Sequence, residues 1–202
     1  MKGQIYLITI VVIALALVGL RLASSPQTSI EQIKLLESSL QSKIFQNLWK
    51  EYENNMVISY LDDINLNTYD FSNFTRKLTQ EKALRFDFLF IGSLANYSSS
   101  QINVTVLNFL HERIDFILTL NSTPEQSVSS SLEDQGLFST NFSFTPGETY
   151  NLNFKISNQN YEQNITINTN ATKNVYVGFF DLTLISDIST NKKMFQKSLV
   201  LS

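Results

Sequence analysis

The sequence predicts an α+β protein with an N-terminal transmembrane helix, an amphipathic stalk helix with a short companion helix, and a C-terminal antiparallel β-sandwich. Three observations carry this prediction. Residues 4–20 form an uncharged apolar run, apolar residues recur every three or four positions between residues 33 and 60, and from Arg85 onwards apolar and polar residues alternate. The corresponding segments are a signal or transmembrane segment (1–25), a helical stalk region (26–84) and a β-sandwich domain (85–202).

Composition indicates a folded domain and limits its partners. Hydrophobic residues make up 43% of the 202 residues, with 15 Phe and 8 Tyr, so a buried core is expected. Lys2 and Arg21 flank the apolar run, and the rest of the chain carries 13 basic against 18 acidic residues. This acidic balance argues against nucleic acid as a partner. The absence of cysteine excludes disulfides and thiolate metal sites.

The apolar run Gln4–Leu20 predicts contact with a lipid bilayer. Its 17 residues make a helix of about 25 Å, close to the roughly 30 Å hydrocarbon thickness. Three interpretations remain open: a secretory signal cleaved near Ser24, an uncleaved anchor, or the retained apolar helix of a pilin-like protein. The last two predict a single-pass protein of the cell membrane. One Lys before the run and one Arg after it give almost no positive-inside bias, so the expectation that the C-terminal domain lies outside the cell depends on the run together with the Asn-x-Ser/Thr triplets described below.

The residues in front of the run carry a resemblance. Lys2-Gly3 followed by Gln4 and an apolar helix resembles the class III signal peptides of archaeal type IV pilin-like proteins. The resemblance implies cleavage between Gly3 and Gln4, with the apolar helix kept on the mature chain. It also implies further copies of the chain, or other pilin-like surface proteins, as partners. Many pilins have Glu at the fifth mature position, where this chain has Ile8, so the resemblance favours anchoring over the usual filament packing.

Asn-x-Ser/Thr triplets give a second indication of export. Chance alone would produce about four of them in a chain of this composition. There are seven, at Asn73, Asn96, Asn103, Asn121, Asn141, Asn164 and Asn170. They are either N-glycosylation sites or part of an Asn- and Thr-rich β surface, and both alternatives remain open.

Two helices are expected between the apolar run and the strands. Thr28 and Glu31 have the spacing of a capping box, and a helix should run from there to about Leu61. Its apolar stripe comprises Ile33, Leu36, Leu40, Ile44, Leu48, Tyr52, Met56 and Tyr60. The stripe should pack on the protein's own sheet, the alternative being another copy. The segment 62–67 should close this helix, and a shorter one should span 70–83 with Phe71, Phe74 and Leu78 on one side.

Eight strands are expected after Arg85, each with one apolar face. Their apolar positions begin at Phe86, Ile102, Ile114, Phe138, Tyr150, Ile165, Val175 and Met194. Two packed sheets with polar outer faces follow from this pattern. The passage Phe142–Ile156, with its turn at 145–148, resembles the immunoglobulin-like β modules of archaeal surface proteins.

No catalytic, cofactor or metal site is predicted. His111 is the single histidine and is expected as a solvated turn residue. Asp62-Asp63 and Glu133-Asp134 lack the spacing of a calcium loop. Tyr97 and Tyr161 are expected on the surface, where they could stack on sugars.

The leading functional interpretation is a non-enzymatic, membrane-anchored surface protein of structural or adhesive type. The alternatives are a solitary anchored binding domain, or an anchored hydrolase of carbohydrate or peptide, which would need two converging carboxylates.

Overall fold

The computed structural model describes residues 26–58 and 63–201, with side chains described at 33–57 and 63–201. The predicted transmembrane run, the Gly3–Gln4 bond and Asp62 lie outside these residues. Internal contacts divide the chain into two units, Met1–Ile44 and Phe45–Ser202. The described residues form an α+β fold, with two helices and two antiparallel sheets stacked as a β-sandwich. Within the described residues, no helix has the length and apolar character needed to cross a membrane.

In the part of the chain that the structure describes, two helices precede nine strands. Helix α1 spans Pro26–Ile58 and helix α2 spans Ile64–Gln80. The strands are β1 (Arg85–Asn96), β2 (Gln101–Phe109), β3 (Ile114–Leu120), β4 (Gln126–Leu132), β5 (Gly136–Ser143), β6 (Thr149–Ile156), β7 (Tyr161–Asn168), β8 (Asn174–Ile185) and β9 (Thr190–Leu201).

The apolar stripe of α1 is buried in its second half. Phe45, Leu48, Tyr52 and Met56 recur every three or four residues and are all buried. The rings of Trp49 and Tyr52 contact Phe195 and Phe88 on the sheet, which confirms packing on the protein's own sheet for residues 45–57. In the first unit, the apolar side chains at 33–40 are exposed: Ile33, Leu35, Leu36 and Leu40.

Helix α2 begins six residues earlier than predicted. Asp63 is its N-cap, and the Asp63 carboxylate accepts hydrogen bonds from the backbone N–H groups of Asn65 and Leu66. The expectation that residues 65–67 lie outside this helix is therefore wrong. The helix ends before Ala83, which has a positive φ of 53°.

The buried face of α2 is polar, contrary to the apolar stripe predicted for it. Phe74 is 60% exposed, whereas Thr68, Ser72, Thr75 and Thr79 are buried. The Ser72 and Thr79 hydroxyls donate to the carbonyl oxygens four residues earlier, so these groups are satisfied inside the helix. Small side chains on this face allow the helix to approach the sheet closely.

The strands form two fully antiparallel sheets. The five-stranded sheet has the order β5-β2-β1-β8-β9, and the four-stranded sheet has the order β4-β3-β6-β7. All eight predicted strands are present, and β4 is an additional one. Its sequence QSVSSSL has few apolar residues because only Val128 and Leu132 face the core.

The central strands of the five-stranded sheet, β1, β2 and β8, are buried on both faces, whereas alternate residues of the edge strands β5 and β9 are exposed. Between the sheets lie Leu89 and Ile91 of β1 with their neighbours from both sheets. The opposite face of the five-stranded sheet carries an aromatic cluster under the helices: Phe86, Phe88, Phe90, Phe109 and Phe180. A polar outer face is thus correct for the four-stranded sheet and wrong for the central strands of the five-stranded one.

Tyr52 lies at the centre of the helix-sheet contact. Its ring centroid is 4.5 Å from that of Phe88 and 4.8 Å from that of Phe71. Its hydroxyl is hydrogen-bonded to Ser72 Oγ at 2.9 Å. The side chain is 1% exposed, and this burial raises the pKa of Tyr52 well above its ordinary value.

Two glycines make room for the helices on this face. Gly92 of β1 lies directly opposite Gly178 of β8. A Cβ at Gly92 would collide with the Tyr176 hydroxyl and Asn65 Oδ1, and a Cβ at Gly178 would lie 3.1 Å from Met56 Sδ. The absence of side chains at these two positions therefore lets both helices lie close to the sheet backbone.

We predict that Tyr52→Ala lowers the free energy of unfolding by about 3–5 kcal/mol, because it removes the ring that joins both helices to the sheet. Tyr52→Phe should cost only about 1 kcal/mol, since it loses one hydrogen bond. Urea denaturation of the purified chain measures both. Phe74→Ala, an exposed position on α2, is the matched control and should stay within about 0.5 kcal/mol. Equal effects at positions 52 and 74 would contradict this packing.

Candidate functional site

A charged network lies at the end of the sandwich formed by the turns 110–113, 133–135 and 157–160, which we call the clamp end. Arg76 of α2 donates to both carboxylate oxygens of Asp134, each at 2.8 Å. Its Nη2 also lies 2.8 Å from His111 Nδ1. The backbone N–H of His111 donates to Asp134 Oδ1 at 2.9 Å. One arginine thus joins the last turns of α2 to two loops of the sandwich.

The network fixes the tautomer of His111. A guanidinium has only donors, so His111 Nδ1 accepts from Arg76, and the neutral ring carries its proton on Nε2. That nitrogen lies 3.1 Å from the Phe86 carbonyl oxygen and 3.6 Å from Asp87 Oδ1. His111 itself has a positive φ of 62°, a conformation held by these bonds. The predicted turn position is correct, but the side chain is bonded at both nitrogens and only 25% exposed.

The Asp134 carboxylate is stabilised in its charged form. Partial burial alone would raise its pKa. The hydrogen bonds and charge of Arg76, with the His111 N–H, outweigh burial and bring the pKa of Asp134 below its ordinary value. Arg76 is 9% exposed in its side chain, so Asp134 is the counter-charge that compensates its burial. The neighbouring Glu133 extends into solvent.

This arrangement suits fixation of the helix better than proton transfer. A general base needs a nitrogen that can reach a proton on a ligand, and both His111 nitrogens already bond to the protein. Within the part of the chain that the structure describes, no three His, Asp or Glu side chains come together as metal ligands. We therefore describe Arg76, His111 and Asp134 as a polar clamp.

A second polar cluster lies where the edges of the two sheets meet. Asp181 of β8 is 6% exposed and accepts from the Tyr161 hydroxyl of β7 at 2.8 Å. Lys192 Nζ lies 3.2 Å from the same oxygen, Oδ2. Burial and the Asp181 charge raise the pKa of Tyr161. The expectation of an exposed Tyr161 is wrong, whereas Tyr97 is 40% exposed.

The opposite end, formed by the turns 97–100, 121–125, 144–148 and 169–173, holds an open polar cleft. Its volume is about 670 Å³. The lining includes Asn121, the cis peptide Thr123–Pro124 and Glu148, which is the one carboxylate among its lining residues. Glu148 accepts from the Tyr150 hydroxyl at 2.8 Å. A pair of converging carboxylates, as glycoside hydrolysis requires, is not among the residues that line this cleft.

Five of the seven Asn-x-Ser/Thr asparagines lie within two residues of a strand terminus at this same end, which we call the sequon end: Asn96, Asn103, Asn121, Asn141 and Asn170. Asn164 lies in the middle of β7 on the outer face of the four-stranded sheet. Asn73 lies in α2. The clamp end carries none of them and holds most of the charged side chains of the loops.

Arg76 and Asp181 were missed by sequence reasoning. Asp181 had a readable signal, since it is the lone charged residue in the apolar run 175–184. Arg76 had none, because an arginine on a helix is usually solvated, and its burial arises from the position of the turns 110–113 and 133–135.

Comparison of the chain with protein-family models, with curated proteins and with solved structures finds no match.

We predict that Asp134→Asn changes how the free energy of unfolding depends on pH in the acid range. Because the folded pKa of Asp134 is lowered, its contribution is present above the ordinary aspartate pKa of about 3.9 and is lost as the pH falls through the folded value. The wild-type free energy of unfolding should therefore drop below about pH 4, and that of Asp134→Asn should drop less. At neutral pH the variant should lose about 1–3 kcal/mol.

Denaturation at a series of pH values measures this effect. Asp187→Asn, at an exposed position in another turn of the clamp end, is the control and should follow the wild type. If the free energy of unfolding of Asp134→Asn falls with decreasing pH in the same way as that of the wild type, the clamp is not stabilised by charge.

Proposed function

We propose that this chain is a membrane-anchored, non-enzymatic protein of the cell surface, with its folded unit held outside the cell as a structural or adhesive module of pilin-like type. The observation that carries the proposal is that one face of residues 45–57 of α1, formed by Phe45, Leu48, Tyr52 and Met56, is buried against the sheet. Five residues separate the end of the apolar run at Leu20 from the start of α1 at Pro26. The helix that follows the membrane-type segment is thus part of the folded core, as a tether requires.

Two contacts strengthen the attachment of this helix to the last strand. Lys197 Nζ of β9 lies 2.7 Å from Glu53 Oε1. Lys193 Nζ of the same strand lies 3.0 Å from the centroid of the Trp49 ring. Force applied through the helix would therefore reach the sheet through β9 as well as through Tyr52.

An immunoglobulin-like arrangement of the sandwich is the finer part of the proposal, and strand order supports it. In immunoglobulin domains, strands A, B and E share one sheet, and C, F and G share the other. Here β1, β2 and β5 neighbour one another in the first sheet, and β3, β6 and β7 do so in the second. β4 lies beside β3, where variable-type domains have C′. The hairpin β8–β9 is an addition next to β1.

Tyr150 supports the same assignment. Immunoglobulin-like domains often carry a tyrosine near the start of strand F whose hydroxyl bonds to the backbone a few residues upstream. Tyr150 is the second residue of β6, the strand in the F position, and its hydroxyl accepts from the Thr145 N–H at 2.8 Å. Such a sandwich is a frequent scaffold of cell-surface modules.

A filament subunit is a second candidate, favoured by the exposed apolar side chains of α1. Ile33, Leu35, Leu36 and Leu40 lie on one stretch of helix in the first unit, with exposed fractions between 53% and 71%. An apolar surface of this kind often binds another chain. Electron microscopy of detergent-free preparations distinguishes the two candidates, because a subunit forms fibres and a solitary anchor gives dispersed, bilayer-bound monomers.

The proposal predicts the N-terminus of the native protein. Intact mass and N-terminal sequencing should show a chain that starts at Gln4, sediments with membranes and loses residues 85–202 to protease added to whole cells. Gly3→Leu should block the cleavage and leave Met1 or Lys2 at the N-terminus. Gly19→Leu, inside the apolar run, is the matched control and should not change the cleavage site.

Two results would contradict the proposal in different ways. A start near Ser24 with the protein in the medium means a secreted, released domain. Protection of residues 85–202 from protease in intact cells means that the domain is not at the surface.

A further inference from the structure

The seven Asn-x-Ser/Thr asparagines differ in what holds their side chains. Most are tied to another element of the fold. Asn103 Nδ2 donates to Asn141 Oδ1 at 3.0 Å across the pair β2–β5. Asn164 Oδ1 accepts from Asn153 Nδ2 at 2.9 Å on the neighbouring strand β6.

Asn121 is also tied to another strand, and Asn73 lies within a helix. The Asn121 N–H donates to the Asn151 carbonyl oxygen, and Asn121 Oδ1 accepts from the Asn151 N–H, so the asparagine extends the ladder of β6. Asn73 lies in α2, and the Thr75 of its triplet is completely buried. A modifying enzyme would have to break sheet or helix contacts to bind any of these triplets.

Asn96 and Asn170 have a different environment. Asn96 Oδ1 accepts from the N–H groups of Ser98 and Ser99 at 3.0 and 3.3 Å. Asn170 Oδ1 accepts from the N–H groups of Thr172 and Lys173, and from the Thr172 hydroxyl at 3.1 Å. Among the described residues, the side-chain hydrogen bonds of both asparagines end on Oδ1 and stay within their own turns, so neither side chain is tied to another element of the fold.

Both triplets also lie in exposed turns. Residues 97–99 and 171–173 are exposed, and the asparagines themselves are half-buried by their own turns. Turns of this type have few ladder hydrogen bonds to lose and can be bound by another protein. The two turns are neighbours, because the Tyr97 N–H donates to Asn174 Oδ1 at 3.2 Å.

From these contacts we infer that Asn96 and Asn170 are the principal N-glycan acceptors of this protein, so that two adjacent glycans cover the sequon end. The inference rests on the proposed export, which brings the domain to the glycosylation machinery. Asn73 and Asn103 remain unmodified because their triplets are held within the helix and between two strands.

The reaction needs a lipid-linked oligosaccharide phosphate or pyrophosphate as the donor. The Nδ2 of the asparagine forms a bond to the anomeric carbon of the first sugar. The bond from that carbon to the phosphate oxygen breaks, and the lipid phosphate leaves with the electron pair. One Nδ2 proton passes to a base on the transferase, which leaves a secondary amide on the protein.

Glycopeptide mass spectrometry of the full chain from native membranes tests the inference. Peptides with Asn96 and Asn170 should carry sugar in hexose-sized mass steps, and those with Asn73 and Asn103 should not. Asn96→Gln and Asn170→Gln should each remove one glycan from the intact mass, whereas Asn73→Gln and Asn103→Gln should remove none. Thr172→Ala should lose the glycan at Asn170, and Thr172→Ser, which keeps the hydroxyl, should retain it.

Sugar on Asn73 or Asn103 at an occupancy equal to that of Asn96 and Asn170 would overturn the inference. So would an unmodified chain that protease reaches on intact cells, and this result would leave the proposed function standing. A domain protected from that protease would overturn both proposals together.

Discussion

Burial of the central strands of the five-stranded sheet on both faces is the constraint on which the rest of the structure depends. Strand β1 is paired along both edges, with β2 and β8, and its six consecutive residues 88–93 are all buried. One face packs on the four-stranded sheet, and the other carries a cluster of phenylalanines that needs a separate cover. The second half of α1 and the whole of α2 provide it. Removal of either helix would expose aromatic surface worth several kcal/mol.

The same constraint explains why α1 belongs to the folded unit from Phe45 onwards. A helix that only linked a membrane segment to an independent sandwich would bury no aromatic side chain on it. Here Tyr52 contacts Phe71 of α2 and Phe88 of β1, and the clamp of Arg76, His111 and Asp134 fixes the other end of α2. The two ends of the sandwich differ accordingly: one holds the charged clamp, and the other holds polar turns rich in Asn-x-Ser/Thr triplets.

Periodicity predicted the elements well where burial is one-sided. The alternation Tyr150, Leu152, Phe154, Ile156 gave β6 within a residue of its bounds, since only one of its faces is buried. It failed where both faces of an element are buried, and where the buried face of an element is polar. The alternation of Phe86, Phe88 and Phe90 predicted strand β1. It did not show that both faces of the sheet are covered at this strand. The serine-rich β4 and the Ser/Thr face of α2 contain too few apolar residues for periodicity to predict their burial. The clamp was unpredictable because its members come from three separated segments that only the tertiary fold brings together.

Native-state hydrogen exchange of the full chain tests the central claim most directly. If the helices complete the burial of the sheet, the backbone amides of residues 48–57 should exchange only through the same opening as those of β1. Their free energies of exchange should then match to within about 1 kcal/mol, and Tyr52→Ala should lower both by the same amount. Rapid exchange of the backbone amides of residues 48–57, while those of β1 stay protected, would contradict this claim. The sandwich would then be stable without its helical cover.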